Sequence, residues 1–114
     1  MTTLRYGLIG TGMMGLEHQR NLNAIPGVSV VAAADPVQES LDGAIFTAQE
    51  RPLATFLDYR DLLAADMCDA YVISSPNFTH RAVLDEVMQS GKAILVEKPL
   101  CTTADDVHHI YQAA

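Results

Sequence analysis

Residues 6–15 read YGLIGTGMMG, and this stretch decides the fold. An apolar segment runs into three glycines spaced G-x-G-x-x-G, and a helical pattern of apolar residues follows them. Strand, glycine-rich turn and helix in this order are typical of a unit that binds a dinucleotide. Gly10 permits a tight turn, Gly12 lets the backbone approach a pyrophosphate, and Gly15 lets the helix pack closely on the strand. The helix N-terminus then offers N–H groups and partial positive charge to the phosphates. The alternative is an ordinary strand-to-helix turn with three glycines.

An acidic residue stands where this motif requires one. Residues 28–34, VSVVAAA, have the composition of a parallel strand that is covered on both faces, and Asp35 follows them, 20 positions after Gly15. Its carboxylate is placed to accept hydrogen bonds from the adenosine ribose hydroxyls. No arginine adjoins Asp35, so a 2′-phosphate would meet negative charge without a cationic partner. We therefore expect NAD rather than NADP, the alternative for Asp35 being a solvated acid at a turn.

Three further apolar segments predict strands that alternate with helices. The fold class is therefore α/β, a doubly wound and mostly parallel sheet of the Rossmann type, with five strands present in the order 3-2-1-4-5 and the sixth strand of this fold absent. Asp58 and Thr103 are predicted to cap helices through their side chains. The predicted strands are residues 6–9, 28–34, 53–56, 69–74 and 93–96, and helices are predicted after residues 12, 37, 58, 79 and 103.

Polar residues follow the fourth and fifth strands, at the edge where doubly wound sheets bind ligands. Asn77 and Thr79 are candidate helix caps, and for Asn77 contact with the cofactor is an equal alternative. His80, in the first helical turn, has either a structural or a functional role. Lys98 follows the fifth strand, where a cation could stabilise a developing alkoxide, although it could also be a surface ammonium group. His18 falls on an apolar stripe and is interpreted as a packed helix histidine.

Composition and charge exclude several classes of function. The net charge is −7 and the seven basic residues are scattered, which argues against nucleic acid and anionic membranes as partners. No apolar run approaches the ~20 residues that span a bilayer, and the N-terminus lacks a signal-peptide core. The two cysteines have no metal-ligand spacing, and no metal site is predicted. We expect a cytoplasmic protein with reduced thiols.

Taken together, the motifs GLIGTGMMGLEH, AADP, SSPNFTH and VEKPL resemble one family over essentially the whole chain. This is the glucose-fructose oxidoreductase, inositol dehydrogenase and MocA (Gfo/Idh/MocA) family, and the chain is similar to its nucleotide-binding half. The resemblance implies NAD(P)-dependent oxidation of a secondary hydroxyl on a sugar, cyclitol or related polyol, with hydride passing to or from nicotinamide C4.

The family pattern also implies roles for individual residues. Lys98 matches the catalytic lysine, and the bond from Lys98 to Pro99 is expected to be cis. Asp35 lies at the adenosine ribose, and Glu97 and Lys98 lie near the nicotinamide. The remaining positions along the cofactor are Gly10, Thr11, Gly12, Met13, Met14, Gly15, Ser74, Ser75, Pro76, Asn77 and His80.

Length is the one departure from the family pattern. Relatives continue into a second α/β domain that carries the substrate pocket, so residues 1–114 are expected to be the dinucleotide-binding domain alone, truncated before it. Such a chain should bind cofactor yet lack efficient turnover. Its fifth strand is expected to be an exposed edge, which predicts self-association and a homo-oligomer. Two alternatives stay open: a non-catalytic dinucleotide-binding regulator of a protein partner, and a reductase of an imine or tetrapyrrole.

Overall fold

The computed structural model describes residues 3–114, in which five strands alternate with helices. Each strand is followed by a helix, as the sequence predicts. The strands are β1 (Leu4–Ile9), β2 (Val28–Ala34), β3 (Ala54–Phe56), β4 (Ala70–Ile73) and β5 (Ala93–Val96). The helices are α1 (Met13–Asn23), α2 (Gln38–Ala48), α3 (Tyr59–Ala65), α4 (His80–Val87) and α5 (Ala104–Ala113), and α4 has a 3-10 turn on either side.

All five strands are parallel and lie in the order β3-β2-β1-β4-β5, which confirms the predicted sheet. The register places Ile9 of β1 between Ala34 of β2 and Ile73 of β4. The loops that start at Gly10, Asp35 and Ser74 therefore leave the sheet side by side. This adjacency builds the candidate site, because three stretches distant in sequence meet at one edge.

Both faces of the sheet are covered by helices, which is why the strands are apolar almost without interruption. Alternate residues of each strand serve opposite faces, so two layers of core form from one sheet. One layer packs Leu8, Val30, Ala33 and Val72 with Leu41 and Ala44 of α2. The other packs Ile9, Ala32, Ala34, Tyr71 and Ile73 with Leu62, Val83, Leu84, Val87 and Ile110 from α3, α4 and α5.

Helix caps are partly as predicted. The Asp58 carboxylate accepts a hydrogen bond from the Arg60 amide, and Thr103 accepts one from the Asp106 amide, so both predicted caps are confirmed. The predicted caps at Asn77 and Thr79 are wrong. Neither α4 nor the 3-10 turn before it has a side-chain cap, since the Thr79 hydroxyl instead donates 2.6 Å to the Pro76 carbonyl oxygen.

Three further features concern the backbone, membrane-spanning helices and metal ligands. The bond between Lys98 and Pro99 is cis, as the resemblance implies. Within residues 3–114, no helix is long and apolar enough to cross a bilayer. The same residues contain no cluster of His, Cys, Asp or Glu side chains that could hold a metal ion.

Candidate functional site: a cleft at the carboxyl edge of the sheet

Two of the three motif glycines are required by the protein's own packing. Gly10 has a φ of +96°, and a Cβ there would lie 2.6 Å from the Ser75 amide nitrogen. A Cβ on Gly15 would lie 2.2 Å from the Gly10 carbonyl oxygen. Both distances are far below van der Waals contact, so side chains at these positions would force the turn away from β4 or from α1.

Gly12 differs from both, because a Cβ there would meet no protein atom within 4 Å. The chain's own packing therefore does not demand a glycine at this position. Gly12 is also the N-cap of α1, with no side-chain cap, and the first turn of α1 contains no acidic residue. The start of this helix thus leaves space and partial positive charge for an anion that approaches from outside the chain.

The Asp35 carboxylate ties the end of β2 to the glycine turn. Its Oδ2 accepts hydrogen bonds from the Thr11 amide at 2.9 Å and the Thr11 hydroxyl at 3.2 Å, and its Oδ1 accepts one from the Val37 amide at 2.9 Å. Oδ2 thus uses both of its lone pairs, whereas Oδ1 keeps one for a further donor. Asp35 therefore organises the turn and keeps acceptor capacity for ribose hydroxyls. The sequence did not reveal the contact with Thr11, because the two residues lie in different loops.

A cleft of about 900 Å³ opens along the ends of β1, β2 and β4. Many of the predicted site residues line it. They are Gly10, Gly12, Met13, Met14, Asp35, Ser74, Ser75, Pro76 and Asn77. Thr11, Gly15, His80, Glu97 and Lys98 do not line this cleft. Thr11 and His80 are buried and Gly15 packs beneath the turn, whereas Glu97 and Lys98 follow β5 at the far side.

Hydroxyl groups fasten the loop after β4 to the glycine turn. The Ser74 hydroxyl donates to the Gly10 carbonyl oxygen at 3.0 Å. Ser75 and Thr79 share a hydrogen bond of 2.7 Å between their hydroxyl oxygens. The first contact fixes the two walls of the cleft relative to each other, and the second closes the loop after β4 on itself.

At the other end of the cleft lie residues that the sequence did not single out as site residues. The Arg60 guanidinium stacks 4.9 Å from the centroid of the Tyr59 ring, and its Nε lies 2.9 Å from a Glu86 carboxylate oxygen. The hydrogen bond with Glu86 raises the pKa of Arg60, and burial raises the pKa of the Tyr59 phenol. Arg60 is therefore a cation whose charge is already matched by Glu86. The signal that could have found it is its position just after β3, the neighbour of β2.

His80 is fully buried and bound to backbone. Its Nδ1 lies 2.9 Å from the Pro99 carbonyl oxygen and 3.1 Å from that of Leu100, and its Nε2 lies 3.1 Å from the Ser75 carbonyl oxygen. Carbonyl oxygens only accept hydrogen bonds, so each ring nitrogen that carries a proton donates to one of these loops. The ring thus lies between the loop after β4 and the loop after β5, within hydrogen-bonding distance of carbonyl oxygens in both.

His18 does more than pack on a helix stripe, so its interpretation as a packed residue is incomplete. Its Nε2 forms a hydrogen bond with the Glu97 carboxylate, although 79 positions separate the two residues. His18 lies one turn after Gly15 on α1, hence on the helix face that meets the sheet. Lys98, next to Glu97, is exposed, and it takes part in none of the ion pairs found within the described residues.

Comparisons with known proteins place this geometry in a family context. The family model described as "Oxidoreductase family, NAD-binding Rossmann fold" (GFO_IDH_MocA) matches residues 4–114. An inositol 2-dehydrogenase/D-chiro-inositol 3-dehydrogenase from Halalkalibacterium halodurans is 38% identical over 112 residues, which are 97% of this chain and 32% of the relative. A glycosyl hydrolase family 109 protein from a Shewanella species is 36% identical over 100% of this chain and 26% of its own length.

Solved structures of dehydrogenases have the same fold as this chain. The myo-inositol dehydrogenase from Lactobacillus casei, in complex with NAD(H) and myo-inositol, superposes with a TM-score of 0.90 at 30% identity, over 97% of this chain and 33% of that one. The WlbA dehydrogenase from Bordetella pertussis, in complex with NADH and UDP-GlcNAcA, gives a TM-score of 0.85 at 28% identity, over 97% and 34%. The chain spans about a third of the length of these relatives. With the family matched over residues 4–114, the chain belongs to the Gfo/Idh/MocA oxidoreductase family, as its NAD-binding Rossmann domain.

Proposed function

We propose that this domain supplies the NAD site of a dehydrogenase that oxidises a secondary hydroxyl on an inositol, sugar or related polyol. The observation that carries the proposal is the grouping of candidate site residues at the carboxyl edge of the sheet. There the open space at Gly12 and the carboxylate of Asp35 share one cleft, and Lys98 follows β5 at the same edge. Similarity to inositol dehydrogenases supports the polyol as substrate class.

The residues of the cleft fit the parts of the cofactor. Gly12 and the uncapped start of α1 would accept the pyrophosphate, and Asp35 would accept hydrogen bonds from the adenosine ribose hydroxyls. Asn77, at the opposite wall, offers an amide to the cofactor. Both ring nitrogens of His80 face backbone carbonyl oxygens of the two loops, which favours support of the cofactor site over direct contact. NAD, when bound, supplies the acceptor for hydride at nicotinamide C4.

Lys98 would act on the substrate. An exposed ammonium group beside the nicotinamide end can donate a hydrogen bond to the reacting oxygen and stabilise the alkoxide that forms when the hydroxyl proton leaves to a base, before hydride passes to nicotinamide C4 and the carbonyl forms. We also propose that residues 1–114 alone bind NAD without efficient turnover, since orienting the substrate against the nicotinamide supplies a large part of the rate. The chain is one third as long as its inositol dehydrogenase relatives, which supports this second point.

The cofactor site is tested by titrating the protein with NADH and then NADPH while following nicotinamide fluorescence. We expect tighter binding of NADH, and an Asp35→Ala variant should lose that preference. Asp42→Ala, an exposed acid on α2 outside the cleft, is the matched control. Equal affinities for the two cofactors in the wild-type protein would contradict the role of Asp35.

The reaction is tested in the full-length protein with NAD and a panel that starts from myo-inositol. We expect Lys98→Ala to abolish NADH formation while NADH affinity is retained. Lys92→Ala is the matched control, because Lys92 is the one other lysine in the sequence and pairs with Asp66 instead. Unchanged turnover in Lys98→Ala would remove Lys98 from the mechanism.

Glycoside hydrolysis is a second candidate, favoured by the 36% identity with a glycosyl hydrolase family 109 protein. The two reactions differ in stoichiometry. A dehydrogenase forms one NADH for each substrate molecule oxidised, whereas hydrolysis releases a sugar with no net change in NADH. Measuring NADH and free sugar in the same reaction separates them. A regulator would produce neither, and it would instead bind a protein partner in an NAD-dependent way.

A further inference from the structure

The backbone around Lys98 is held on both sides while its own side chain stays exposed. On the N-terminal side, the Glu97 amide donates 2.9 Å to the Ile73 carbonyl oxygen and the Glu97 carboxylate binds His18 of α1. On the C-terminal side, His80 of α4 binds the carbonyl oxygens of Pro99 and Leu100. Two helices on opposite faces of the sheet thus each contribute one histidine that contacts the residues flanking Lys98.

Neither histidine is placed as a surface group. The His80 ring is completely buried, and its second nitrogen reaches Ser75 in the loop after β4. The side chains of His18 and Glu97 are about three-quarters buried, with relative exposures of 23% and 26%. A hydrogen bond between partly buried side chains meets less competition from water than one at the surface. Both contacts are therefore suited to fixing a loop.

We propose that His18, Glu97 and His80 form a clamp that positions Lys98, an inference that rests on the proposed role of Lys98 in hydride transfer. A lysine side chain is long and flexible, so the position of its ammonium group depends on how firmly its backbone is held. Rates of oriented reactions fall steeply with displacement, by about 100-fold for about 1 Å. Fixing both neighbours of Lys98 removes backbone freedom and leaves the side-chain torsions to adapt to the substrate.

The clamp also connects Lys98 to the phosphate end of the site. His18 belongs to α1, whose first turn faces the pyrophosphate position, and His80 binds Ser75, which lines the cleft. The same two elements that build the cofactor cleft therefore set the place of the catalytic lysine. His18 and His80 are positioning residues in this scheme, because they act through Glu97 and the loop and not on the reacting atoms.

The test compares His18→Leu with His18→Gln in the full-length protein, with NAD and myo-inositol as the probes. Glutamine can still donate a hydrogen bond to Glu97, whereas leucine cannot. We expect kcat to fall about 10- to 100-fold in His18→Leu and to recover in His18→Gln, with NADH affinity unchanged in both. His109→Leu is the matched control. It removes another histidine–carboxylate contact, that of His109 on α5 with Asp85 on α4, and this contact lies outside the cofactor cleft.

A second measurement keeps the clamp testable without turnover. Amide hydrogen exchange, followed by mass spectrometry of peptides covering residues 97–103, should be faster in His18→Leu than in the wild-type protein, His18→Gln or His109→Leu. If the wild-type protein forms no NADH from any polyol, the proposed function fails, and the exchange rates still decide the clamp. If His18→Leu does not fold, Glu97→Ala breaks the same contact from the other side, and the same exchange increase is expected.

Three results would overturn the inference. The first is wild-type exchange of residues 97–103 in a folded His18→Leu protein. The second is an equal loss of kcat in His18→Gln and His18→Leu, which would mean that the hydrogen bond to Glu97 does not matter. The third is a parallel loss of NADH affinity, which would make His18 a residue of the cofactor site.

Discussion

Substituting Gly15 by alanine tests the packing of the glycine turn most directly. The new Cβ would lie 2.2 Å from the Gly10 carbonyl oxygen and 3.0 Å from the Ser74 hydroxyl oxygen. Real Cβ atoms essentially never come closer than 3.0 Å, so α1 and the turn must separate by about 0.8 Å, the difference between 2.2 Å and 3.0 Å. The same carbonyl oxygen accepts the Ser74 hydrogen bond, which the displacement would also weaken.

The expected magnitude is the sum of two opposing effects. Overpacking a tight contact costs about 1–3 kcal/mol, whereas replacing glycine by alanine inside a helix gains about 1 kcal/mol. We therefore expect Gly15→Ala to lower the free energy of unfolding by up to about 2 kcal/mol. The matched control is Gly43→Ala in α2, where the new Cβ would find only the Leu16 Cδ1 at 3.5 Å, an ordinary contact. That variant should be more stable than the wild type by about 0.5–1 kcal/mol.

The assay is urea denaturation of the wild-type protein and both variants, followed by far-UV circular dichroism. Opposite signs for Gly15→Ala and Gly43→Ala are the predicted result, because the two substitutions share their chemistry and differ only in the space available. A Gly15→Ala protein as stable as Gly43→Ala would refute the reasoning, since it would show that α1 moves off the turn without measurable cost.

Three further predictions follow from the same structure. Gly12→Ala should leave the urea midpoint near that of the wild type, because no protein atom lies within 4 Å of the new Cβ. The same variant should weaken NADH binding in the fluorescence titration. Unchanged NADH affinity would contradict the approach of a pyrophosphate at Gly12. Burial raises the pKa of the Cys68 thiol to about 11. The native protein should therefore resist alkylation of Cys68 by iodoacetamide at neutral pH and react only once unfolded. Rapid labelling of Cys68 in the native protein, seen by peptide mass spectrometry, would count against this protection. The hydrogen bond from Arg81 holds the pKa of the Asp106 carboxyl below its usual range. The stabilising effect of the ionised carboxylate is therefore present above the unfolded pKa and lost as pH falls through the lower folded value. Asp106→Asn should flatten the fall of stability at acid pH, measured by urea denaturation across pH, and an unaltered fall would argue against this role of Asp106.

Much of the architecture could be predicted from local patterns. The segment 28–34 is apolar on both faces, so it had to be an interior parallel strand, and the sheet order followed from the doubly wound fold. Asp58 and Thr103 were recognisable as caps because the accepting side chain and the donating amide lie within three residues of each other. The cap prediction failed at Asn77 and Thr79, where the Thr79 hydroxyl found the Pro76 carbonyl oxygen and Ser75 instead.

The interior contacts of the site were beyond local patterns. The sequence did not show that Thr11 binds Asp35 or that Arg60 is held by Glu86, because each pair joins separate loops or helices. The roles of the cofactor residues remain predictions, while their gathering around one cleft is a property of the folded chain. The cofactor class, by contrast, was readable from the spacing of Gly10, Gly12, Gly15 and Asp35, and the family match agrees with it.

By itself the sequence determined the fold class, the glycine turn and the acid at the end of β2, because these depend on periodicity, backbone freedom and spacing within about thirty residues. Only the tertiary structure decided which side chains contact the residues that flank Lys98. His18 and Glu97 are 79 positions apart, and His80 reaches Pro99 from another helix. Parallel strands cross over through helices, so residues that meet at the carboxyl edge are necessarily remote in the chain. Their meeting is set by the strand register and by the path of each loop and helix, which no local pattern encodes.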